Sequence, residues 1–335
     1  MKVLVTGSSG RIGSRLVSTL MDRGMTVRGL DVRPRPIENE GYEEEIGSLQ
    51  DQAAVERSVA GVEAVVHLGA FMSWRPGDEN RLFQVNCEGT RVLLGAAASA
   101  GVRRLVFASS GEVYPENSPV RLPILEDHPL RPSSHYGLTK LMGEELVRFF
   151  TRTRKLETVI LRFSHVQDAS ELLDENSFFS GPRFFFGPRI RQQEQLGNHD
   201  LAELMRRSDP GVPAHILPKS SFGRPFRMHI TDTRDIVEGI VLSLEADSAA
   251  GETFNLGATE PVDFELLVSK MSEITGYPVV AFDYPGEGVF YTTSNEKIRR
   301  KLGFVPRWSI DRMLDEAAGA RKARLEKAIN RIVGS

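Results

Sequence analysis

One cysteine, Cys87, is all that 335 residues contain. No internal disulfide can form, and a reducing compartment fits such a chain. No apolar run approaches the roughly 20 residues a bilayer-crossing helix needs, so no membrane partner is expected. Basic residues hold no surplus: 42 Lys and Arg against 45 Asp and Glu leave a formal charge of −3. That balance argues against nucleic acid as a partner, which a basic surface would announce. The first apolar stretch, Val3 to Val5, runs straight into glycines and is too short for a secretory signal; a cytoplasmic location is the expectation. Neither an internal repeat nor a low-complexity linker interrupts the chain, and no metal is expected.

What is there is ordinary for a globular protein, 40% apolar and 26% charged. The length exceeds what one core usually organises, so two lobes or one large α/β domain are expected. Lys2 to Val5 reads as a strand ending in a glycine-rich turn, and Ile12, Leu16, Val17 and Leu20 then recur at helical spacing. Strands follow at Thr26–Leu30, Ala64–Leu68, Arg104–Ala108 and Thr158–Leu161, with helices over about 83–100 and 136–150 between them. Strands alternating with helices of this length predict a parallel sheet covered on both faces. Residues 165 to 225, rich in Gly, Pro, Arg and Phe, read as a long irregular stretch, either a functional loop region or a small second core. Regular structure returns with a helix at 233–245, a strand at 253–256, a helix at 263–275 and a polar helix from about 310 to 332.

Between the first strand and first helix lies Thr6-Gly7-Ser8-Ser9-Gly10-Arg11-Ile12-Gly13. Gly7 allows the tight turn, Gly10 lets the backbone approach a pyrophosphate, and Gly13 lets helix pack on strand. The helix start then offers unpaired N–H groups and the positive end of its dipole to phosphate. Asp31 closes the second strand, where a carboxylate accepts bonds from ribose hydroxyls and repels a 2′-phosphate, favouring NAD over NADP. Arg11, Arg33 and Arg35 pull the other way, since arginines can hold that phosphate.

Tyr136 and Lys140 stand four residues apart at a helix start, which puts them on one face. A nearby cation favours phenolate, so the pair reads as a general acid/base for an alcohol or carbonyl. Ser109 and Ser110 leave the end of a strand, the edge at which open α/β sheets bind ligands. A serine hydroxyl there can hold the reacting oxygen against the tyrosine.

The glycine motif, His67-Leu68-Gly69-Ala70, Asn86 to Thr90, Ser109 to Tyr114 and Tyr136 to Lys140 occur in an order and spacing that resemble the extended short-chain dehydrogenases, the NAD-dependent epimerase/dehydratase family. The resemblance is specific over residues 1 to about 162. It implies a Rossmann-type doubly wound parallel sheet over 1–164, with 228–257 returning to it, and a smaller α/β substrate-binding lobe from 165–227 and 258–335. It implies Ser110, Tyr136 and Lys140 as the catalytic set. Gly7, Gly10, Arg11, Ile12, Gly13, Asp31, Leu68, Gly69 and Ala70 would line NAD, with Asn86 in its shell. Ser48 and Leu49 would stand near the adenine, where many family members carry an acidic residue.

Departures from the family's pattern bear on substrate. Ser110-Gly111-Glu112 lacks the aspartate of sugar 4,6-dehydratases, while Glu112 remains, either as a substrate contact or as a solvated turn residue. Ser164-His165-Val166 replaces the segment whose asparagine contacts a nucleotide sugar. The diphosphate-gripping arginines are out of register, with Arg224 and Arg227 flanking the expected place. Ser73, Glu112, His165, Arg189 and Arg227 are the candidate substrate contacts. A sugar or nucleotide-sugar epimerase is the leading expectation. Net dehydrogenation of a free sugar or sugar acid is the alternative, and a non-catalytic NAD sensor is the alternative from another class. The resemblance also implies a homodimer through the helices over 83–100 and 136–150, with Leu93, Leu94, Ala97, Leu141, Leu146 and Phe149 as apolar positions that could equally face the chain's own sheet.

Overall fold

The structure, a computed structural model, describes residues 1–333 apart from 36, 38, 116, 117 and 155. The chain divides into two compact units, one of Met1–Ser164, Thr233–Gly257 and Thr293–Val305, the other of His165–Asp232, Ala258–Thr292 and Pro306–Ser335. Residues 293–305 thus pack with the first unit, whereas the sequence placed everything beyond 258 in the second lobe.

The first unit is built on β1 (Lys2–Thr6), β2 (Thr26–Asp31), β3 (Tyr42–Ile46), β4 (Ala64–His67), β5 (Arg104–Ser110) and β6 (Glu157–Phe163). With the strand Thr253–Leu256 they form, among the described residues, one seven-stranded sheet in the order 253–256, β6, β5, β4, β1, β2, β3. Every pairing in it is parallel. Val3, Leu4, Val5, Val65 and Val66 are fully buried, as strands covered on both faces require. The chain leaves β3 at one side of β1 and resumes with β4 at the other. Their neighbouring C-terminal ends therefore frame the crevice of a switch point.

β3 escaped the sequence expectation for a physical reason. Its Tyr-Glu-Glu-Glu-Ile carries no apolar run, because it pairs only with β2. Glu43 takes bonds from Lys2 and Arg28, and Glu45 from Arg57. Charge along an edge strand also blocks further strand addition. The helix expected over 83–100 is likewise not uniform. A short helix Glu79–Leu82 runs into a π-helical turn, Phe83–Glu88, before α-helix resumes at Gly89–Ser99.

The irregular stretch expected over 165–225 is not irregular. It holds helices Ser180–Phe184, Phe186–Gln195 and His199–Arg206 and the strand His215–Lys219, which pairs in parallel with Val279–Asp283. Phe184, Phe185 and Phe186 are buried, with ring centroids 5.6 Å from Phe264, 4.8 Å from His215 and 6.2 Å from Phe282 respectively. They fill a second core, while Phe178 remains exposed. Composition alone hid these helices because successive phenylalanines obscure the 3.6-residue period.

A buried ion pair ties the first unit together. Arg162, at the end of β6, donates from Nε and Nη2 to the two carboxylate oxygens of Glu144 at 2.8 and 2.7 Å. Glu144 lies on the helix His135–Arg154, fully buried, and also accepts from Ser109 Oγ at 2.6 Å and Arg148 Nη2 at 2.7 Å. Arg162 further donates to Tyr114 Oη and the Glu126 carbonyl, and Tyr114 Oη donates to Asn255 on the last strand of the sheet. Burial alone would raise the Glu144 pKa, yet Arg162, Ser109 and Arg148 together hold it below the usual carboxylate range.

Removing one member of such a pair leaves an uncompensated charge. Glu144→Ala is therefore expected to cost about 3–5 kcal/mol, measured as an earlier midpoint in urea denaturation. Because the folded pKa is depressed, the contribution is complete above the unfolded value of about 4.3. It is lost as pH falls from there, so wild type should weaken on acidification more steeply than Glu144→Gln.

Candidate active site

At the end of β1 the backbone turns so tightly that side chains are excluded. Gly7 sits at φ +70°, and a Cβ on it would lie 2.9 Å from the Gly69 backbone nitrogen. A Cβ on Gly13 would lie 2.0 Å from the Gly7 carbonyl oxygen. The loop after β1 and the loop Leu68-Gly69-Ala70 after β4 therefore touch backbone to backbone, and the helix Arg11–Asp22 begins against them. Arg11 and Ile12 occupy its first turn. Its N-cap is Gly10, with no side chain accepting from the helix start, as an anion cradle requires.

Asp31 lies at the rim of this cradle, its Oδ2 accepting from Ser9 N and its Oδ1 from Arg33 N, both at 3.0 Å. Gly69 N donates to Thr6 Oγ1 at 3.0 Å, and Thr6 Oγ1 meets His67 Nδ1 at 2.8 Å. His67 is buried, bonded also to Thr90, and its pKa falls to about 3 through burial and then Lys140. It therefore stays neutral. Leu49 is buried between Gly69 and Gly89, where a Cβ would come within 3.2 and 2.8 Å of its side chain. Ser48 Oγ accepts from Gln50 N at 3.2 Å in a turn at β3's end. Backbone that approaches this closely, at a helix start with a carboxylate beside it, fits a dinucleotide.

Asn86 lies in the π-helical turn, Phe83–Glu88. Its amide accepts from Phe71 N and donates to Phe71 O, both at 2.8 Å, and donates to Thr139 Oγ1 at 3.0 Å. It clamps the loop after β4 to the helix of Tyr136.

That helix is pressed onto the end of β5. Its own glycines allow the approach: a Cβ on Gly137 would lie 2.5 Å from the Glu112 carbonyl, and one on Gly143 2.6 Å from the Phe107 ring. Lys140 Nζ donates to the Ala108 carbonyl at 2.8 Å and lies 5.7 Å from the centre of the Tyr136 ring. Ser110 Oγ caps a single 3-10 turn, Gly111–Val113, by accepting from Glu112 N at 3.2 Å. Tyr136, Lys140, Ser110 and the glycine cradle thus belong to one unit.

The electrostatics correct one expectation. The cation at Lys140 was expected to bring Tyr136 towards neutral pH. Burial, and then the Glu112 carboxyl, instead hold the phenol above its ordinary value. Lys140 is itself pushed down to about 8 by burial, so its cation is weakened as the phenol's partner. Glu112 is no solvated turn residue either. Its Oε2 accepts from Trp74 Nε1 at 3.1 Å and Ser134 Oγ at 2.6 Å, and burial raises its pKa against those bonds. Trp74 gave no signal in the sequence, standing in a loop outside any periodic pattern; its ring centre lies 5.8 Å from that of Tyr136. Ser73, nearby, donates to Asp78 at 2.5 Å.

The remaining candidates lie in the second unit. His165 opens the strand His165–Gln167 beside Arg183, its ring 5.7 Å from that of Tyr291. Burial first, then Arg183 and His229, lower its pKa to about 3. Arg189 donates to Tyr284 Oη at 2.8 Å, to the Pro182 carbonyl and to Gln192. Arg227 is exposed on a two-residue strand. Among the described residues no group of His, Cys, Asp and Glu could hold a metal ion, and no helix is long and apolar enough to cross a membrane.

Comparison with known proteins gives consistent results. The model of the NAD dependent epimerase/dehydratase family matches residues 3–171. A short-chain dehydrogenase/reductase superfamily protein from Agrobacterium tumefaciens, solved with bound NAD, is 61% identical. The match covers 98% of this chain and 100% of that one, at a TM-score of 0.94. The UDP-glucose 4-epimerase of Corynebacterium glutamicum is 28% identical over 334 residues, 96% of this chain and 95% of that protein. The uronate dehydrogenase of Pseudomonas syringae pv. tomato is 34% identical over 166 residues, 48% of this chain and 58% of that enzyme.

The cradle makes a direct prediction. Gly13→Val should abolish NAD retention, since its Cβ meets the Gly7 carbonyl oxygen. Wild type warmed with excess NAD should melt later by the increment that saturating ligand confers, and the variant should show no increment in the same thermal scan.

Proposed function

The chain belongs to the NAD dependent epimerase/dehydratase family and is an NAD-dependent enzyme, and on that premise we propose that it acts at a secondary alcohol of a sugar, as a sugar or nucleotide-sugar epimerase. The arrangement of Tyr136, Lys140 and Ser110 at the end of β5, on the same sheet as the glycine cradle, carries this reading. Full-length similarity to a UDP-glucose 4-epimerase supports it. Gly7, Gly10, Arg11, Ile12, Gly13, Asp31, Ser48, Leu49, Leu68, Gly69 and Ala70 would hold NAD, with Asn86 bracing the loop behind it. When bound, NAD supplies the hydride acceptor for the carbinol carbon.

The chain's own groups manage the proton. Tyr136 takes it from the substrate hydroxyl and returns it to the carbonyl, with Ser110 orienting the oxygen between them. Lys140, held on the Ala108 carbonyl with its Nζ 5.7 Å from the Tyr136 ring centre, is the cation placed to favour the phenolate in this reading. In this reading the first unit is the cofactor domain, with Ser73 and Glu112 as its candidate substrate contacts; His165, Arg189 and Arg227 are the candidates of the second unit, considered by itself.

One observation favours the second reading, net dehydrogenation of a free sugar or sugar acid. Arg189, a candidate anion grip, spends its donors on Tyr284, Pro182 and Gln192, and a diphosphate needs charge-assisted donors that are free to turn to it. Similarity to a uronate dehydrogenase over the first half of the chain points the same way.

A panel of UDP-glucose, UDP-glucuronic acid, D-glucuronate and D-galacturonate with added NAD separates the readings. Isomerised sugar without net NADH supports the epimerase, and steady NADH from a uronate overturns it in favour of the dehydrogenase. In either case Tyr136→Phe should lower turnover by about 10²–10⁴-fold; retained NAD with no turnover on the panel would instead favour the sensor.

A homodimer through the helices Gly89–Ser99 and His135–Arg154 is part of this proposal. Leu93, Leu94 and Ala97 are buried in the first unit's own core, so they do not form the contact. Exposed Leu138, Met142 and Phe149 remain to do so. Light scattering at micromolar concentration should give twice the chain mass, and Met142→Glu with Phe149→Glu should return it to the monomer's.

A further inference from the structure

The Trp74–Glu112–Tyr136 cluster lies apart from the glycine turn in sequence, and its members are joined by hydrogen bonds and ring contact. Glu112 bridges two elements. The Trp74 indole reaches it from the loop after β4, and Ser134, whose Oγ also accepts from Gly137 N at 2.9 Å, reaches it from the start of the Tyr136 helix. Both bonds end on Oε2, and among the described residues Oε1 takes none. Trp74 is about one-third exposed and lines a cavity of about 490 Å³ with Arg75, Glu79, Ser134, His135 and Leu138. Its N–H could have bonded to water. It bonds to a carboxyl instead, while its ring lies beside Tyr136.

We propose that Trp74 is a positioning residue: by donating its indole N–H to Glu112 it holds that carboxyl against Tyr136, and it acts on the phenol through Glu112. The inference rests on Tyr136 as the acid/base group. Glu112 in its anionic form opposes ionisation of the phenol, and in its neutral form does not. The charge state of Glu112 thus gates how readily Tyr136 gives up its proton, and the loop carrying Trp74 sets how closely the two are coupled. The other titratable groups around the cluster are Lys140 behind Tyr136, with Cys87 and His67 facing that lysine, and Arg75, Asp78, Glu79 and His135 on the Trp74 side.

The chain's only other tryptophan is Trp308, so the NAD-loaded Trp308→Phe variant reports on Trp74 alone. Should that variant fail to fold, the difference in emission between wild type and Trp74→Phe gives the same signal. Two features are expected as pH is raised. The first is a transition with its midpoint above the ordinary carboxylate range, lost in Glu112→Gln and moved upward in Ser134→Ala, which removes a bond that favours the anion. The second is an alkaline quench from the Tyr136 phenolate, absent in Tyr136→Phe and beginning at lower pH in Glu112→Gln. Emission flat with pH, a first transition unaltered by Glu112→Gln, or an alkaline limb that Glu112→Gln leaves in place would each overturn the proposal. No sugar enters the measurement, so a blank substrate panel leaves it readable.

Discussion

Tyr136, Lys140 and Glu144 follow one another at intervals of four residues, so they form one stripe along a helix. The lowest member of that stripe is locked. Glu144 is fully buried and bonded to Arg162 through both oxygens, and in a low-dielectric interior such a pair has one good geometry. A rotation of the helix that broke it would strand a charge. The pair therefore sets the helix's angle about its own axis, and with it the direction in which Lys140 and Tyr136 point. Ser109 bonds to the same carboxylate, so the end of β5, and Ser110 beside it, is referenced to the same anchor.

Close backbone approach does for the cofactor crevice what the ion pair does for the helix. Gly7 against Gly69 and Gly13 against Gly7 bring the ends of β1 and β4 and a helix start within van der Waals contact. Gly137 and Gly143 do the same for the helix His135–Arg154 against Glu112 and Phe107. Each glycine permits an approach that any Cβ would prevent, which turns a missing side chain into a positional constraint.

The two titratable partners are both displaced from their ordinary ionisation. Burial holds Tyr136 towards phenol and lowers Lys140 to about 8, so at neutral pH the phenolate is withheld while the lysine is still mostly cationic. Environments that push neighbouring groups in this way are characteristic of proton-transfer sites. Burial leads in both shifts, and for Tyr136 a carboxyl, Glu112, adds to it, itself bonded to a tryptophan and a serine from different elements.

Much of this could be read along the chain. The glycine spacing, Asp31 at a strand end, the Tyr136/Lys140 interval and the buried strands of β1, β4, β5 and β6 are local patterns, and local patterns of period two, three and four report directly on turns, helices and faces. Those patterns determined the parallel sheet, the glycine turn and the shared face of Tyr136 and Lys140. Tertiary structure alone decided the rest. β3 is a strand because β2 offers it a partner; Phe184 to Phe186 are a core because Phe264 and Phe282 meet them; Glu144 and Trp74 matter because Arg162 and Glu112, distant in sequence, lie within bonding distance. Such pairings have no period, and the ionisation of Tyr136 turns on one of them, since it depends on burial and on a carboxyl that chain folding brings to it.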